Sequence, residues 1–149
     1  MEITTEQIKS LRDKTGVSVM QCRKALTEAG GDAAKALVLL KKRGAEAAAK
    51  KAGRMLGAGA VASYIHPGAT VGALVLLLSE TDFVSRNPEF QALARDIAMH
   101  VAAMNPGSSE LLDQPFIKKP EQTVRVLLES AVQKFGERIE VADFTRFGV

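Results

Sequence analysis

The architecture of this chain turns on the stretch VGALVLLLSETDFVSRNPEF, Val71 to Phe90. Its first eight residues, Val71 to Leu78, form the most apolar run in the sequence, far short of the roughly 20 residues a membrane-spanning helix needs. The Val and Leu content suits a buried strand instead. The stretch then changes character, because Asn87 and Pro88 supply an N-cap and an N1 proline for a helix. Asp82 and Phe83 therefore stand at a strand-to-helix corner. A ring there is either a core plug beneath the following helix or an anchor offered to another molecule.

Working outward, AVASYIH (Ala60 to His66) alternates weakly and PGAT (Pro67 to Thr70) offers a turn, so the apolar run reads as the second strand of a β-hairpin. Downstream, Phe90, Leu93, Ala94, Ile97, Ala98, Val101 and Ala102 recur at helical spacing on one face. Residues 105–115, NPGSSELLDQP, read as a loop. A second amphipathic helix is expected to follow, with Pro120 near its start, Val124, Leu127, Leu128, Ala131, Val132 and Phe135 inward, and Gly136 as its stop. RIEVADFTRFGV closes the chain as a strand. The order β-β-α-α-β predicts an antiparallel sheet with helices packed on one face, an α+β fold.

The first fifty residues are punctuated as three helices. Thr4 and Gln7 form a capping box ahead of Ile8 and Leu11, and Gly16 closes that helix; Ser18 and Gln21 form a second box ahead of Met20 to Ala29. Gly30 to Asp32 supply a left-handed stop and a new N-cap, and the third helix, with Ala36, Leu37, Leu39 and Leu40, is expected to end at Gly44. The helix-forming run after it loses that character at Gly57 to Gly59. The expected organisation is a three-helix module over 1–52, a connector over 53–59 and an α+β core over 60–149.

A length of 149 residues, with 46% hydrophobic and 25% charged positions, suits a soluble globular chain with a real core. One cysteine, Cys22, excludes an internal disulfide framework and agrees with a reducing compartment. The acidic N-terminal stretch with Glu2, Glu6 and Asp13 shows no signal or transit pattern, so a cytoplasmic setting is expected, or an organellar stroma or matrix if a precursor was processed. The bases cluster from Lys41 to Arg54. Without interleaved aromatics they read as a solvated helix face rather than a nucleic-acid stripe.

Enzymatic chemistry finds little support. His66 and His100 are the only histidines, neither is spaced for a triad, and Cys22 in an Ala-rich helix reads as packing. Glu80 and Asp82, two apart, could share a face of an extended strand, yet no GxxxxGK or GxGxxG motif accompanies them. Neither a cofactor, a metal nor direct nucleotide binding is expected.

Four separated segments then carry a resemblance: LRDKTG with QCRKAL, AAKKAGR, ETDFVSRNPEF and QPFIKKPEQTV, in that order over nearly the whole chain. Together they resemble the elongation factor Ts family, guanine-nucleotide exchange factors of elongation factor Tu. The resemblance implies a ubiquitin-associated-like helical module that docks on the G domain of elongation factor Tu. It also implies a core whose Asp82 and Phe83 protrude toward that partner: Asp82 perturbs the partner's magnesium and phosphate region, Phe83 acts as the wedge, and Thr81 and Val84 shape the corner. In the first module Arg12, Val19, Met20 and Arg23 are contact candidates, with core or solvated positions as the alternative. The family usually carries a longer segment before QPF, a basic pair where Ala142 and Asp143 stand, and an acid at Gln21. A homodimer stays open, as does a rival function: a non-exchanging protein-binding or ribosome-associated module on the same scaffold.

Overall fold

The computed structural model describes residues 2–149. The chain divides into two compact units, Met1–Ala52 with Glu129–Gly136, and Gly53–Leu128 with Glu137–Val149.

The first unit begins with α1 (Thr5–Thr15), α2 (Val19–Glu28) and α3 (Ala33–Lys51). The Thr4/Gln7 capping box closes in both directions, at 2.8 and 3.2 Å. Only half of the second box forms: Ser18 accepts from the Gln21 N–H, while the Gln21 side-chain oxygen is buried without a hydrogen-bond partner. Asp32 caps α3 by accepting from Lys35 N–H. The apolar faces meet in a core of Leu11, Val17, Cys22, Ala25, Leu26, Ala36 and Leu40.

Gly44 does not end α3, which continues to Lys51. One glycine costs a helix about 1 kcal/mol relative to alanine, and the AEAAAKK run that follows outweighs it. Gly44 is buried where a Cβ would sit 3.3 Å from the Glu129 carbonyl oxygen, so it marks a close backbone approach within this unit.

The second unit is built on a three-stranded antiparallel sheet in the order β1-β2-β5: β1 (Ala58–Ile65), β2 (Val71–Ser79) and β5 (Glu140–Gly148). Strand β1 starts at Ala58, inside the segment expected to be connector. The β1/β2 register runs from Ala58 opposite Ser79 to Ile65 opposite Gly72. Between β2 and β5 the register slips at Leu76/Leu77, leaving Ala142 as the extra residue of a bulge. Only alternate residues of β2 are deeply buried, Ala73, Val75, Leu77 and Ser79, while Leu74 on the opposite face is exposed together with Val61 and Ile65 of β1 and Phe147 of β5. The apolar run is thus a central strand covered on one face.

That face is covered by α5 (Pro88–Met104), which packs on β1, β2 and β5 through buried Phe90, Ala94, Ile97, Ala98 and Val101. Asn87 caps it by accepting from the Glu89 N–H, and Pro88 occupies its first turn. A one-turn helix α4 (Asp82–Ser85) intervenes between β2 and α5. The segment beyond α5 corrects the expectation of a loop leading straight to a helix. A 3₁₀ turn at Leu111–Asp113 is followed by a small hairpin, β3 (Pro115–Phe116) with β4 (Lys119–Thr123), and α6 spans Val124–Phe135. Pro120 lies in β4, where a two-stranded sheet tolerates a residue without an N–H. Gly136, at φ 73°, stops α6.

His100, fully buried on α5, ties this hairpin down. Its Nδ1 accepts the Ile117 N–H at 3.1 Å, which puts the proton on Nε2, 2.9 Å from the Gln114 oxygen that accepts it. Its ring also stacks on Phe116, with centroids 5.8 Å apart. Burial lowers the His100 pKa, against a smaller opposing effect of the Gln114 bond. The folded chain therefore holds a neutral imidazole that the unfolded chain would protonate below its ordinary value of about 6.5, so stability contributed by His100 falls as pH drops through that value. His100→Phe should cost about 2 kcal/mol at pH 7.5, because the Ile117 N–H loses its acceptor. The gap between wild type and variant should narrow toward pH 5.5, measured by urea unfolding.

Candidate functional site

The corner between β2 and α5 is held by side chains from three parts of the second unit. Ser79, at the buried end of β2, donates its hydroxyl to the Thr81 carbonyl at 2.9 Å. Thr81 occupies the N-cap position of α4 with extended backbone, yet its side chain makes no cap hydrogen bond; its hydroxyl donates instead to Glu137 Oε2 at 2.6 Å. The turn closes with Arg86 N–H on the Asp82 carbonyl and Asn87 N–H on the Val84 carbonyl.

Successive residues of a helical turn point about 100° apart, so adjacent Phe83 and Val84 face different ways. Val84 is 5% exposed and fastens the turn to the unit, whereas Phe83 is 85% exposed. The ring plugs no core, which removes that option for the corner. An exposed Phe forgoes the roughly 1.5–3 kcal/mol that burying it would contribute, and that apolar surface is free for a contact elsewhere. Beside it Asp82 pairs with Arg86 at 3.5 Å with both side chains well exposed, a surface pair contributing roughly 0–1 kcal/mol.

Glu80 and Asp82 do not form a paired-acid site. The Glu80 carboxylate accepts the Arg138 N–H and lies 3.6 Å from Arg54 Nη1, while Asp82 faces its own helical turn. Among the described residues no group of three or more His, Cys, Asp or Glu side chains converges to hold a metal ion. Cys22 is buried, its thiol donates to the Val17 carbonyl, and burial pushes its pKa up, so the nucleophilic thiolate is suppressed.

The remaining candidates belong to the first unit. Val19 and Met20, at the start of α2, are 48% and 80% exposed, and Arg12 on α1 and Arg23 on α2 are also exposed. None of the four is a core position. The contributor that sequence reasoning missed is Glu137, immediately after the Gly136 stop of α6. Its carboxylate accepts from the N–H groups of Glu80 and Thr81 as well as from the Thr81 hydroxyl. An acid just past a helix stop was the available signal, but nothing local names its partners.

Comparison with known proteins agrees with this architecture. Residues 39–110 match the family model described as Elongation factor TS. Elongation factor Ts of Acetivibrio thermocellus is 38% identical over 191 aligned positions, covering 97% of this chain and 89% of the relative. That of Anaeromyxobacter sp. is 40% identical over 192 positions, covering 98% and 88%. That of Thermodesulfovibrio yellowstonii is 39% identical over 194 positions, covering 100% and 97%. An alignment of 194 positions against 149 residues means that this relative carries residues the present chain lacks. The class is that of a translation elongation factor with an α+β core. More particularly, the chain belongs to the elongation factor Ts family.

The exposure of Phe83 separates it from the other aromatic of the motif. Phe83→Ala should change the unfolding free energy by no more than about 0.5 kcal/mol, as surface substitutions do. Phe90→Ala should cost about 3–5 kcal/mol through loss of buried area and the cavity left behind. Urea unfolding of the two variants against wild type checks both.

Proposed function

We propose that this chain is a guanine-nucleotide exchange factor that binds elongation factor Tu through its G domain and promotes GDP release, making and breaking no bond itself. What carries the reading is one observation: an almost fully exposed Phe83 on a helical turn whose backbone is pinned on both sides. A soluble protein leaves single apolar residues exposed without consequence, but a ring beside a buried Val84 on a tethered turn is an anchor geometry.

In this reading Phe83 wedges between elements of the partner, Asp82 perturbs its magnesium and phosphate region, and Thr81 and Val84 hold the turn that presents them. Residues 1–52 act as the partner-docking module, with Val19 and Met20 as its apolar contact and Arg12 and Arg23 beside them; residues 53–59 connect it to the core of 60–149. The setting is the cytoplasm, where elongation proceeds. The energetics are those of linkage. A factor that binds better to the partner with loosened nucleotide contacts must weaken the nucleotide's hold by the same coupling free energy, and GDP must weaken the factor's binding in return.

The test is release of fluorescent GDP from elongation factor Tu into excess unlabelled GDP. Wild type should accelerate release, and Phe83→Ala should lose about 2 kcal/mol of anchor contact, roughly a 30-fold reduction in the stimulated rate at limiting factor. A stable complex with no acceleration would select the non-exchanging binding module instead.

A further inference from the structure

Two carboxylates cross between the β2–α4 corner and the α6–β5 junction. Glu137 reaches one way: Oε1 accepts the consecutive N–H groups of Glu80 at 3.1 Å and Thr81 at 3.0 Å, and Oε2 accepts the Thr81 hydroxyl. Glu80 reaches the other way, accepting the Arg138 N–H. Arg138 extends the tie, donating Nη1–H to the Arg54 carbonyl at 2.6 Å and Nη2–H to Glu140 at 2.9 Å. Segments 57 residues apart in sequence are thus joined by reciprocal carboxylate bonds.

We infer that Glu137 is a positioning residue for partner contact: its carboxylate sets the orientation of the 80–81 peptide, and through it the direction in which Phe83 leaves the molecule. This inference rests on Phe83 being the partner-facing anchor. Two adjacent N–H groups aimed at one oxygen fix the peptide plane, and the hydroxyl on the second oxygen fixes the carboxylate in turn. Hydrogen bonds to an ionised acceptor are stronger than neutral ones. The corner otherwise lacks a side-chain N-cap, because the Thr81 hydroxyl is committed to Glu137. Without Glu137 the first turn of α4 loses the acceptor of the Thr81 N–H and the lock on its N-cap residue together. Val84 would still anchor the far side, so the predicted defect is a loosened presentation of Phe83 rather than an unfolded unit.

The experiment has two readouts. Amide hydrogen–deuterium exchange of the free protein should show Glu80 and Thr81 losing protection about tenfold or more in Glu137→Ala, with β-strand amides of the same unit unchanged. Stimulated GDP release should slow about tenfold in Glu137→Ala, the equivalent of about 1.4 kcal/mol of lost contact, and should slow no further when Glu137→Ala is added to Phe83→Ala. Glu137→Gln keeps an acceptor for the two N–H groups and should retain most of both signals; if the alanine variant folds poorly, Glu137→Ser, whose side chain is too short to reach the corner, takes its place. Unchanged protection at residues 80–81, or an equal loss of rate with and without the Phe83 ring, would overturn the inference. If wild type fails to stimulate release at all, the exchange reading fails while the protection data still decide whether Glu137 holds the turn.

Discussion

The structure of the second unit depends on the packing of α5 across one face of a three-stranded sheet. Phe90, Ala94, Ile97 and Val101 close over Ala73, Val75 and Leu77, and all of these side chains are buried. This packing also fixes where the chain must turn. Strand β2 ends with buried Ser79 and α5 begins at Pro88, so the residues between them have to climb from the sheet layer to the helix layer at the edge of the core. A short helical turn makes that climb with its inner residue, Val84, in the core and its neighbour outside. Phe83 thus stands on the outer side of a turn whose inner side Val84 occupies.

Much of this was legible in particular residues. Thr4 with Gln7, Asp32, and Asn87 with Pro88 each marked a helix start that forms where expected, because capping is a local matter of one side chain and two or three backbone groups. The face from Phe90 to Val101 was readable for the same reason: helical periodicity needs no knowledge of what lies opposite. Gly44 misled because its significance is tertiary. A glycine that ends a helix and one that admits a close backbone approach look alike in sequence, and the Ala-rich run beyond it decides the outcome. Pro120 misled in the converse way, since a proline near a helical pattern suggests a first turn, while the hairpin that uses it depends on the pairing of Pro115 with Thr123.

The site divided along the same line. The corner at Asp82 and Phe83 could be located from the change in period between β2 and α5, but whether the ring pointed in or out could not, because burial depends on how much room the packed layers leave. Glu137 was out of reach altogether. Its partners lie 56 and 57 residues away, and an acid after a glycine stop is unremarkable in itself.

For a factor that acts by binding alone, as proposed for this chain, such bracing has a particular use. Its effect on a partner is limited to the difference in its affinity for two states of that partner, and a loosely held anchor would settle into either state by adjusting its own backbone, reducing that difference. A turn pinned by Val84 beneath, by the Glu137 carboxylate in front and by the capped start of α5 behind cannot relax in this way without breaking hydrogen bonds. In that proposal ordering costs are met on folding instead of on association, which raises affinity. The same bracing accounts for the unsymmetrical use of Thr81, whose hydroxyl would ordinarily cap its own helix. Given to Glu137, it ties the turn to the segment that leads into β5, and that tie holds the start of the turn on which Asp82 and Phe83 are exposed.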